Sequence, residues 1–251
     1  MELDLLKDTA KILHTQLSNA QAEALLRMRD MLIEASAKFN VTAIVDPSQA
    51  LARHIIDSMS LLAAIPENIR QKPRKMLDVG SGAGFPCLPI AVLFPHWQIV
   101  SLEATGKKAV LQQQIANEIG LQNFTILTGR SEVFARDDSL RGSFQIVTAR
   151  AVAAAPTLLE WLLPFAQVNA LTFAMKKGDI ADEVRQAAYA AHILGATEPE
   201  IVSLPAEICS LAPDLADNRV ILRFRQLKLT GKTFPRPSGL PQTKPLTPEN
   251  L

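Results

Sequence analysis

Residues 78–86 read Asp78-Val79-Gly80-Ser81-Gly82-Ala83-Gly84-Phe85-Pro86, and this stretch decides the fold. A short apolar run at 76–79 leads into the glycines, and a helical pattern over about 86–94 follows them. Glycines permit a sharp turn and the close approach of a ligand, and a helix N-terminus offers free N–H groups to an anionic group. The stretch therefore predicts a strand, a ligand-binding turn and a helix. The alternative is a tight turn that binds nothing.

The same alternation of strand and helix continues on the C-terminal side. It predicts an α/β fold, a Rossmann-like, doubly wound and mostly parallel sheet with helices on both faces. Helices are expected near 105–119, 157–166 and 179–194. Seven strands are expected, at 76–79, 98–102, 124–127, 145–148, 171–175, 200–204 and 220–224.

Two flanking regions differ from this central domain, which spans 76–227. Residues 1–75 form a helical N-terminal region, with helical patterns over 1–38 and 47–64 and a polar loop over 66–75. Residues 228–251 form a basic, Pro-rich tail. Because prolines at this density interrupt helices and central strands, the tail is expected to be extended.

Charge is distributed unevenly along the 251 residues. The whole chain has 26 Lys and Arg against 25 Asp and Glu, a formal net charge of +1. Residues 1–75 carry +1, residues 76–218 carry −6 and residues 219–251 carry +6. This asymmetry suggests a polyanionic partner, and the alternative is a basic tail that is merely solvated.

Composition excludes several classes of protein. A hydrophobic content of 48% excludes a disordered chain. Two cysteines, Cys87 and Cys209, fit a reducing compartment and are too few to form a zinc site alone. The N-terminus lacks a signal peptide, and the apolar stretch 151–171 is interrupted by prolines and a glutamate. We therefore expect a cytoplasmic protein that uses neither a membrane nor a metal.

The spacing of the glycines narrows the choice of ligand. Dinucleotide sites favour G-x-G-x-x-G, which argues against a nucleotide-linked oxidoreductase. The sequence G-x-G-x-G after Asp78 instead resembles the first motif of S-adenosylmethionine methyltransferases. Glu103 ends the second strand, where a carboxylate would bind ribose hydroxyls. Asp78 either caps the turn or orients the loop amides or the cofactor ammonium.

Two later strand ends add polar residues to the same edge of the sheet. Ser131 and Glu132 follow strand three, where an adenine amine would be bound, although Glu132 also suits a solvent-facing helix start. Arg150 follows strand four, where methyltransferases present groups to the substrate. Its alternative role is an ion pair with Glu132 or Glu103.

Motifs spread over most of the chain resemble the bacterial small-subunit ribosomal RNA guanine-N7 methyltransferase family, also called glucose-inhibited division protein B. They are Phe39-Asn40-Val41-Thr42-Ala43-Ile44, Arg53-His54-Ile55-Ile56-Asp57-Ser58, residues 78–89, Gly106-Lys107-Lys108, Gly129-Arg130-Ser131-Glu132, Val147-Thr148-Ala149-Arg150-Ala151-Val152, Lys176-Lys177-Gly178, Phe234-Pro235-Arg236 and Gly239-x-Pro241-x-x-Lys244-Pro245-Leu246. The chain also departs from the family pattern. Glu103-Ala104 replaces Asp-Ser, Lys108 replaces an arginine, Cys87 stands where glycine is frequent, Gln145 replaces an aspartate, and Thr243 stands where lysine is frequent.

The resemblance implies methyl transfer from S-adenosylmethionine to N7 of a guanine in 16S ribosomal RNA, as naked RNA or in the small subunit, by a monomer. Guanine N7 has a lone pair in the ring plane, so no catalytic acid or base is assigned. Family matching places five residues at the cofactor: Gly80, Phe85, Ser131, Glu132 and Arg150. Three more residues are expected at the cofactor from their positions in the turn and at the end of strand two: Gly82, Gly84 and Glu103.

Basic residues at matched positions are expected to contact RNA phosphates. They are Arg53, Lys107, Lys108, Arg150, Lys177, Arg236 and Lys244. His54 either contacts the RNA or is satisfied within the helical region. Phe39 and Phe85 are expected to line the cleft, and the alternative for either is a place in the core. Two alternatives remain: a nonenzymatic RNA-binding or ribosome-assembly protein, and a methyltransferase acting on another substrate.

Overall fold

The computed structural model describes residues 1–39 and 41–250, with the backbone only at Phe39. Asn40, Leu251 and the Phe39 side chain lie outside the described residues, and with them the prediction that Phe39 lines the cleft. No helix in the described part of the chain is both long and apolar enough to cross a membrane.

The seven-stranded sheet confirms the predicted Rossmann-like fold. Its strand order is β3-β2-β1-β4-β5-β7-β6, and β7 runs antiparallel to both of its neighbours. The strands are β1 (Lys75–Val79), β2 (Gln98–Glu103), β3 (Phe124–Thr128), β4 (Phe144–Arg150), β5 (Ala166–Lys177), β6 (Glu200–Ser203) and β7 (Arg219–Arg225). Strand order reverses between β1 and β4, and ligands of open α/β sheets bind at such a point.

Helices precede the sheet and cover both of its faces. The α-helices are α1 (Glu2–Ile12), α2 (Asn19–Phe39), α3 (Pro47–Ala50), α4 (Asp57–Ser60), α5 (Glu67–Arg70), α6 (Cys87–Leu93), α7 (Gly106–Glu118), α8 (Ser131–Phe134), α9 (Ala155–Leu162), α10 (Ala181–Leu194), α11 (Ala206–Leu211) and α12 (Leu240–Thr243). A π-helix occupies Leu51–Ile56, and 3-10 turns occupy Leu61–Ala63, Leu163–Phe165, Pro213–Leu215 and Pro248–Asn250. The helix predicted over 47–64 is therefore a series of segments with a π-helical turn inside it.

Two hydrophobic clusters form the core. The first joins the N-terminal helices to one side of the sheet, with Leu6 and Leu25 in the same cluster as Trp97 and Ile99. The second contains α9 and α10 and also takes in Leu246 from the tail. Both flanking regions thus pack against the sheet domain, and the division at 75 and 227 stays a prediction about chain organisation.

The tail is not extended throughout, which corrects the sequence prediction. Residues 240–243 form the single turn α12, with Pro241 in its first turn, where the missing N–H of proline costs nothing. The tail is also fixed to the domain. Pro241 is buried, and its carbonyl accepts a hydrogen bond from Thr157 Oγ1 at 2.8 Å.

A buried ion pair holds the tail on α9. The Arg236 guanidinium donates to both carboxylate oxygens of Glu160, with Nη2 2.7 Å from Oε2 and Nε 3.0 Å from Oε1. The Glu160 side chain is fully buried. The Arg236 backbone N–H also donates to Oε1, and Arg236 Nη2 donates to the Lys244 carbonyl at 2.7 Å. Proline rings limit regular structure here to short turns, and side-chain hydrogen bonds hold the rest of the segment.

Arg236→Ala should lower the free energy of unfolding by about 3–5 kcal/mol, because it leaves the Glu160 charge buried without a partner. Urea unfolding followed by circular dichroism measures this change. The matched control is Arg185→Ala, which removes an exposed pair with Asp182 and should cost less than about 1 kcal/mol. Equal losses in the two variants would show that the Arg236 pair does not hold the tail.

Candidate active site

The glycine turn wraps the carboxyl end of β1. Gly80, Gly82 and Gly84 all have positive φ, at +70°, +61° and +100°. A Cβ on Gly84 would lie 2.2 Å from Leu88 Cδ1, whereas a Cβ on Gly82 would meet nothing within 4 Å. Gly84 therefore serves the packing of the turn on α6, and Gly82 leaves space open above the turn.

A buried polar cluster supports the turn from below. Ser81 Oγ lies 2.6 Å from Ser101 Oγ on β2, and Gln112 Nε2 on α7 donates to Ser81 Oγ at 2.9 Å and to the Gly82 carbonyl at 2.7 Å. Gln112 is fully buried. Ser101 and Gln112 were not predicted from the sequence to support the turn. A glutamine on the apolar face of the predicted 105–119 helix is the signal that would have indicated one of them.

Glu103 fixes the turn from the neighbouring strand. Its Oε2 accepts the Gly82 N–H at 2.8 Å, and its Oε1 accepts the Thr105 N–H at 2.8 Å. The side chain is buried, and it lines a cleft of about 400 Å³ that we call the loop cleft. This carboxylate, not that of Asp78, orients a loop amide.

Asp78 lies beneath the loop cleft and is fully buried. Its Oδ2 accepts the Cys87 N–H at 3.1 Å at the start of α6. Its Oδ1 has no hydrogen-bond partner among the described residues. Burial raises the pKa of Asp78 to about 7. Asp78 therefore accepts the first N–H of α6, directly after the turn that it was predicted to cap, and a role in orienting the cofactor ammonium stays a prediction.

A second, smaller cavity of about 160 Å³ continues from Gly80 past the ends of β2 and β3, and we call it the strand-three cavity. Ser131 and Glu132 line it from α8, and both are buried. Glu132 Oε1 has no hydrogen-bond partner among the described residues. Glu132 is thus not the solvent-facing helix start considered above.

A third cavity of about 460 Å³ lies on the other side of Arg150, and we call it the cationic cavity. Five cationic side chains and two carboxylates line it: Arg53, Arg150, Lys176, Lys177 and Arg219, with Asp57 and Glu183. The loop cleft and the cationic cavity share His54, Arg150 and Ala151. Three of the five cations were predicted from the sequence as RNA contacts, whereas Lys176 and Arg219 were not predicted as binding residues.

One buried carboxylate positions the arginines of this cavity. Asp57 Oδ2 accepts from Arg150 Nη1 at 2.7 Å, and Asp57 Oδ1 lies 2.7 Å from Arg219 Nη1. Arg150 also donates to the Arg53 carbonyl at 3.1 Å. The ion-pair partner of Arg150 is therefore Asp57, and the predicted partners Glu132 and Glu103 are wrong. The π-helical turn that ends at Ile56 presents these groups, as such turns often do at functional sites.

His54 separates the loop cleft from the cationic cavity. Its ring lies 5.1 Å from the Phe85 ring, and its Nε2 lies 3.3 Å from Thr42 Oγ1. Burial and the charges of Arg150 and Arg219 lower the pKa of His54 to about 4. The imidazole is therefore neutral at neutral pH and is partly satisfied within the helical region.

A loop that is strained at one residue forms the rim shared by the two cavities. Ala151 has φ +54°, a conformation that non-glycine residues rarely adopt and that clusters at functional sites. Lys176 Nζ donates to the Ala153 carbonyl and lies 2.5 Å from Glu183 Oε1. Glu183 in turn accepts the Ala155 N–H. This half-buried pair thus holds the loop in place.

The structure does not gather all predicted RNA-binding residues in one place. Arg53, Arg150 and Lys177 meet at the cationic cavity, although Arg53 Nε also lies 3.4 Å from Asp214 Oδ1. Lys108 lines the loop cleft, and Lys107 beside it is exposed. Two others lie on the tail, Lys244 exposed and Arg236 tied to Glu160. Among residues 1–39 and 41–250 no cluster of His, Cys, Asp or Glu could hold a metal ion.

The strand order, the glycine turn at the end of β1 and the carboxylate at the end of β2 define a class I methyltransferase fold. Solved structures agree on the fold. An O-methyltransferase from Bacillus cereus in complex with SAH has a TM-score of 0.56 at 15% identity and covers 88% of this chain and 97% of its own. An SAM-dependent methyltransferase from Aquifex aeolicus has a TM-score of 0.52 at 16% identity and covers 72% of this chain and 94% of its own.

Sequence comparisons identify the family within this class. The GidB family model, described as rRNA small subunit methyltransferase G, matches residues 21–211. A ribosomal RNA small subunit methyltransferase G from Dehalococcoides mccartyi is 37% identical over 86% of this chain and 87% of its own. One from Roseiflexus sp. is 33% identical over 97% and 100%. The chain belongs to the GidB family and is an S-adenosylmethionine-dependent methyltransferase of ribosomal RNA.

The residues present fit this cofactor. Gly82 leaves open space over the turn, and Glu132, whose Oε1 has no partner among the described residues, lines the strand-three cavity, where a hydrogen-bond donor would satisfy it. The loop cleft and the strand-three cavity share Gly80, Ala104 and Val152, so one extended molecule can occupy both.

Gly82→Ala should leave the fold intact and weaken S-adenosylmethionine binding at least tenfold, because its Cβ projects into the open loop cleft. Gly120→Ala is the matched control, since Gly120 also has positive φ (+74°) and a Cβ there also meets nothing within 4 Å. Both variants should lose about 1–2 kcal/mol of stability from backbone strain. Calorimetric titration with the cofactor distinguishes them, and equal affinities would exclude Gly82 from the binding site.

His54 should make stability depend on pH. Its folded pKa of about 4 lies below the ordinary 6.5, so the unfolded chain binds more protons between these values. Stability contributed by the neutral imidazole is therefore lost as pH falls from 6.5 to 4, by about 1–3 kcal/mol. His54→Gln should remove this loss, measured by urea unfolding of both proteins across the window. Parallel pH profiles would contradict the assignment.

Proposed function

We propose that this protein transfers the methyl group of S-adenosylmethionine to N7 of a guanine in 16S ribosomal RNA, acting in the cytoplasm as a monomer. One observation carries the proposal: the loop cleft and the cationic cavity adjoin at His54, Arg150 and Ala151. A cofactor in the first would place its methyl group beside a base in the second. Enzymes that modify a base hold it unstacked in a pocket of this kind.

The groups at the junction suit an acceptor that needs no deprotonation. His54 is neutral but faces Phe85 and Thr42, and the Asp57 carboxylate is engaged by two arginines. Guanine N7 already presents a lone pair in the ring plane. Catalysis then consists of holding N7 in line with the methyl group and excluding water. We therefore assign no catalytic acid or base.

Several residues are proposed to hold the cofactor. Gly80, Gly82 and Gly84 shape the turn, and Phe85 and Arg150 close the loop cleft, with the Arg150 guanidinium 5.5 Å from the centre of the Phe85 ring. Glu103 would accept from the ribose hydroxyls while keeping its bond to Gly82. Ser131 and Glu132 would contact the adenine. The bound cofactor supplies an electrophilic methyl group on a sulfonium, whose charge the acidic side chains at this edge favour.

Cations in and around the cationic cavity are proposed to contact RNA phosphates. Lys177 at the end of β5 and Arg53 line the cavity, while Lys107, Lys108 and Lys244 lie further out. Arg236 remains in this set only through the family match, because its guanidinium is already bound to Glu160. These contacts should depend on salt.

The purified protein should transfer a labelled methyl group to 16S RNA from cells that lack this protein, either naked or in small subunits. The label should map to a single guanine that becomes sensitive to reduction and aniline cleavage, the chemical signature of N7 methylation. Absence of label with cofactor binding intact would favour a nonenzymatic RNA-binding or assembly protein. Label on another class of acceptor only would favour a different substrate.

Lys177→Ala tests whether the cationic cavity binds RNA. The control is Lys72→Ala, because Lys72 is an exposed lysine outside the three named cavities. Loss of one phosphate contact should raise the KM for RNA and reduce the salt dependence of RNA binding by about one ion. Lys72→Ala should change neither. Equal effects of the two changes would show that the cavity has no special role.

A further inference from the structure

The basic tail reaches the cofactor site. Gln242 in α12 lines the strand-three cavity, opposite the ends of β1, β2 and β3. Its side chain is exposed and has no hydrogen-bond partner among the described residues. Trp161 lines the same cavity from α9, to which the tail is fixed. Two elements that no glycine-turn motif includes therefore complete this cavity.

Two residues that line the cavity carry buried polar atoms without partners, and these atoms indicate what the cavity binds. Trp161 is 6% exposed and Glu132 is 4% exposed, and neither Trp161 Nε1 nor Glu132 Oε1 has a hydrogen-bond partner among the described residues. Buried polar groups left unpaired are costly, so a ligand that pairs them gains affinity. The indole can only donate and the carboxylate can only accept. A ligand that offers both an N–H donor and a ring-nitrogen acceptor satisfies the pair.

We propose that the tail turn at 240–243 is the outer wall of the adenine site, and that Gln242 and Trp161 select the adenine ring of the cofactor together with Glu132. Adenine carries an amino donor beside ring-nitrogen acceptors, which matches the carboxylate and the indole. The Gln242 carboxamide both donates and accepts, and it lies at the mouth of the cavity. This inference rests on the cofactor and not on the proposed RNA acceptor.

Contacts behind Gln242 make this wall rigid. Thr157 Oγ1 holds the Pro241 carbonyl, and Arg236 joins the Lys244 carbonyl to Glu160. Leu246 and Thr247 are buried beyond the turn. The wall is thus held on both sides of Gln242, which lowers the ordering cost of any hydrogen bond that it makes.

Affinity for S-adenosylhomocysteine, measured by calorimetric titration, tests the role of Gln242. Gln242→Ala should weaken binding about three- to tenfold, the value of one hydrogen bond. Ser238→Ala, an exposed tail change outside the cavity, should leave the affinity at the wild-type value. An unchanged affinity in Gln242→Ala would overturn the proposal.

A cofactor analogue tests whether Gln242 recognises the amino edge of adenine. S-inosylhomocysteine replaces the amino group with an oxygen, so the wild-type protein should bind it more weakly than S-adenosylhomocysteine. The Gln242→Ala substitution should lower the affinity for S-inosylhomocysteine by less than about twofold relative to the wild-type protein. An equal loss for both ligands would contradict selection of adenine by Gln242. Because these titrations contain no RNA, they test the adenine site independently of whether the protein methylates 16S RNA.

Trp161 provides an independent optical measurement, since the chain has two tryptophans. In Trp97→Phe the remaining emission comes from Trp161, and S-adenosylhomocysteine should change its intensity or wavelength. In Trp161→Phe the emission of the fully buried Trp97 should not respond. No response in Trp97→Phe, with binding confirmed by calorimetry, would place Trp161 outside the adenine site.

Discussion

The active-site edge of this protein is organised around one buried carboxylate, Asp57, which two arginines share. Arg150 comes from the end of β4 and Arg219 from the start of β7, so the interaction joins the helical N-terminal region to two strands that are not neighbours in the sheet. Because the carboxylate is buried, neither charge pair is weakened by water as a surface pair would be. The π-helical turn before Asp57 supplies the Arg53 carbonyl to the same cluster. Both the cofactor side and the acceptor side of the site depend on this arrangement.

The fold and the cofactor loop could be predicted because their determinants are local. The run from Asp78 to Pro86 contains its own turn chemistry, and Glu103 follows at the end of the next strand. The partners of Arg150 and Arg219 could not be predicted, because they are 93 and 162 positions away from them in sequence and share no pattern with them. Gln242 was missed for the same reason. Charge counting also misled: Arg219, Arg223 and Arg236 were counted toward a basic C-terminus, but each is paired with an acid in the folded chain.

The tail is rich in proline and basic residues, but it is also firmly attached to the domain. Its prolines limit regular structure to short turns, yet several of its backbone carbonyls accept hydrogen bonds from side chains of the domain, including Arg141, which donates to the carbonyls of Thr230 and Phe234. The tail is therefore an ordered segment, and some of its basic groups, such as Arg236, are engaged in holding it on the domain. Removal of the tail would therefore open the strand-three cavity, which Gln242 lines, whichever acceptor the enzyme uses. Dependence of activity on the tail is for this reason not a measure of RNA recognition.

The cationic cavity has a consequence for the energetics of the proposed reaction. Methyl transfer moves a positive charge from the sulfonium onto the base, so the product is a cation where the substrate was neutral. Five cationic side chains and only two carboxylates line the cationic cavity, where the base is proposed to bind. The charge would move against the field of the protein unless anions of the substrate balance it. The phosphates of the bound RNA are then counterions for the chemical step as well as anchors, and an isolated nucleoside lacks them.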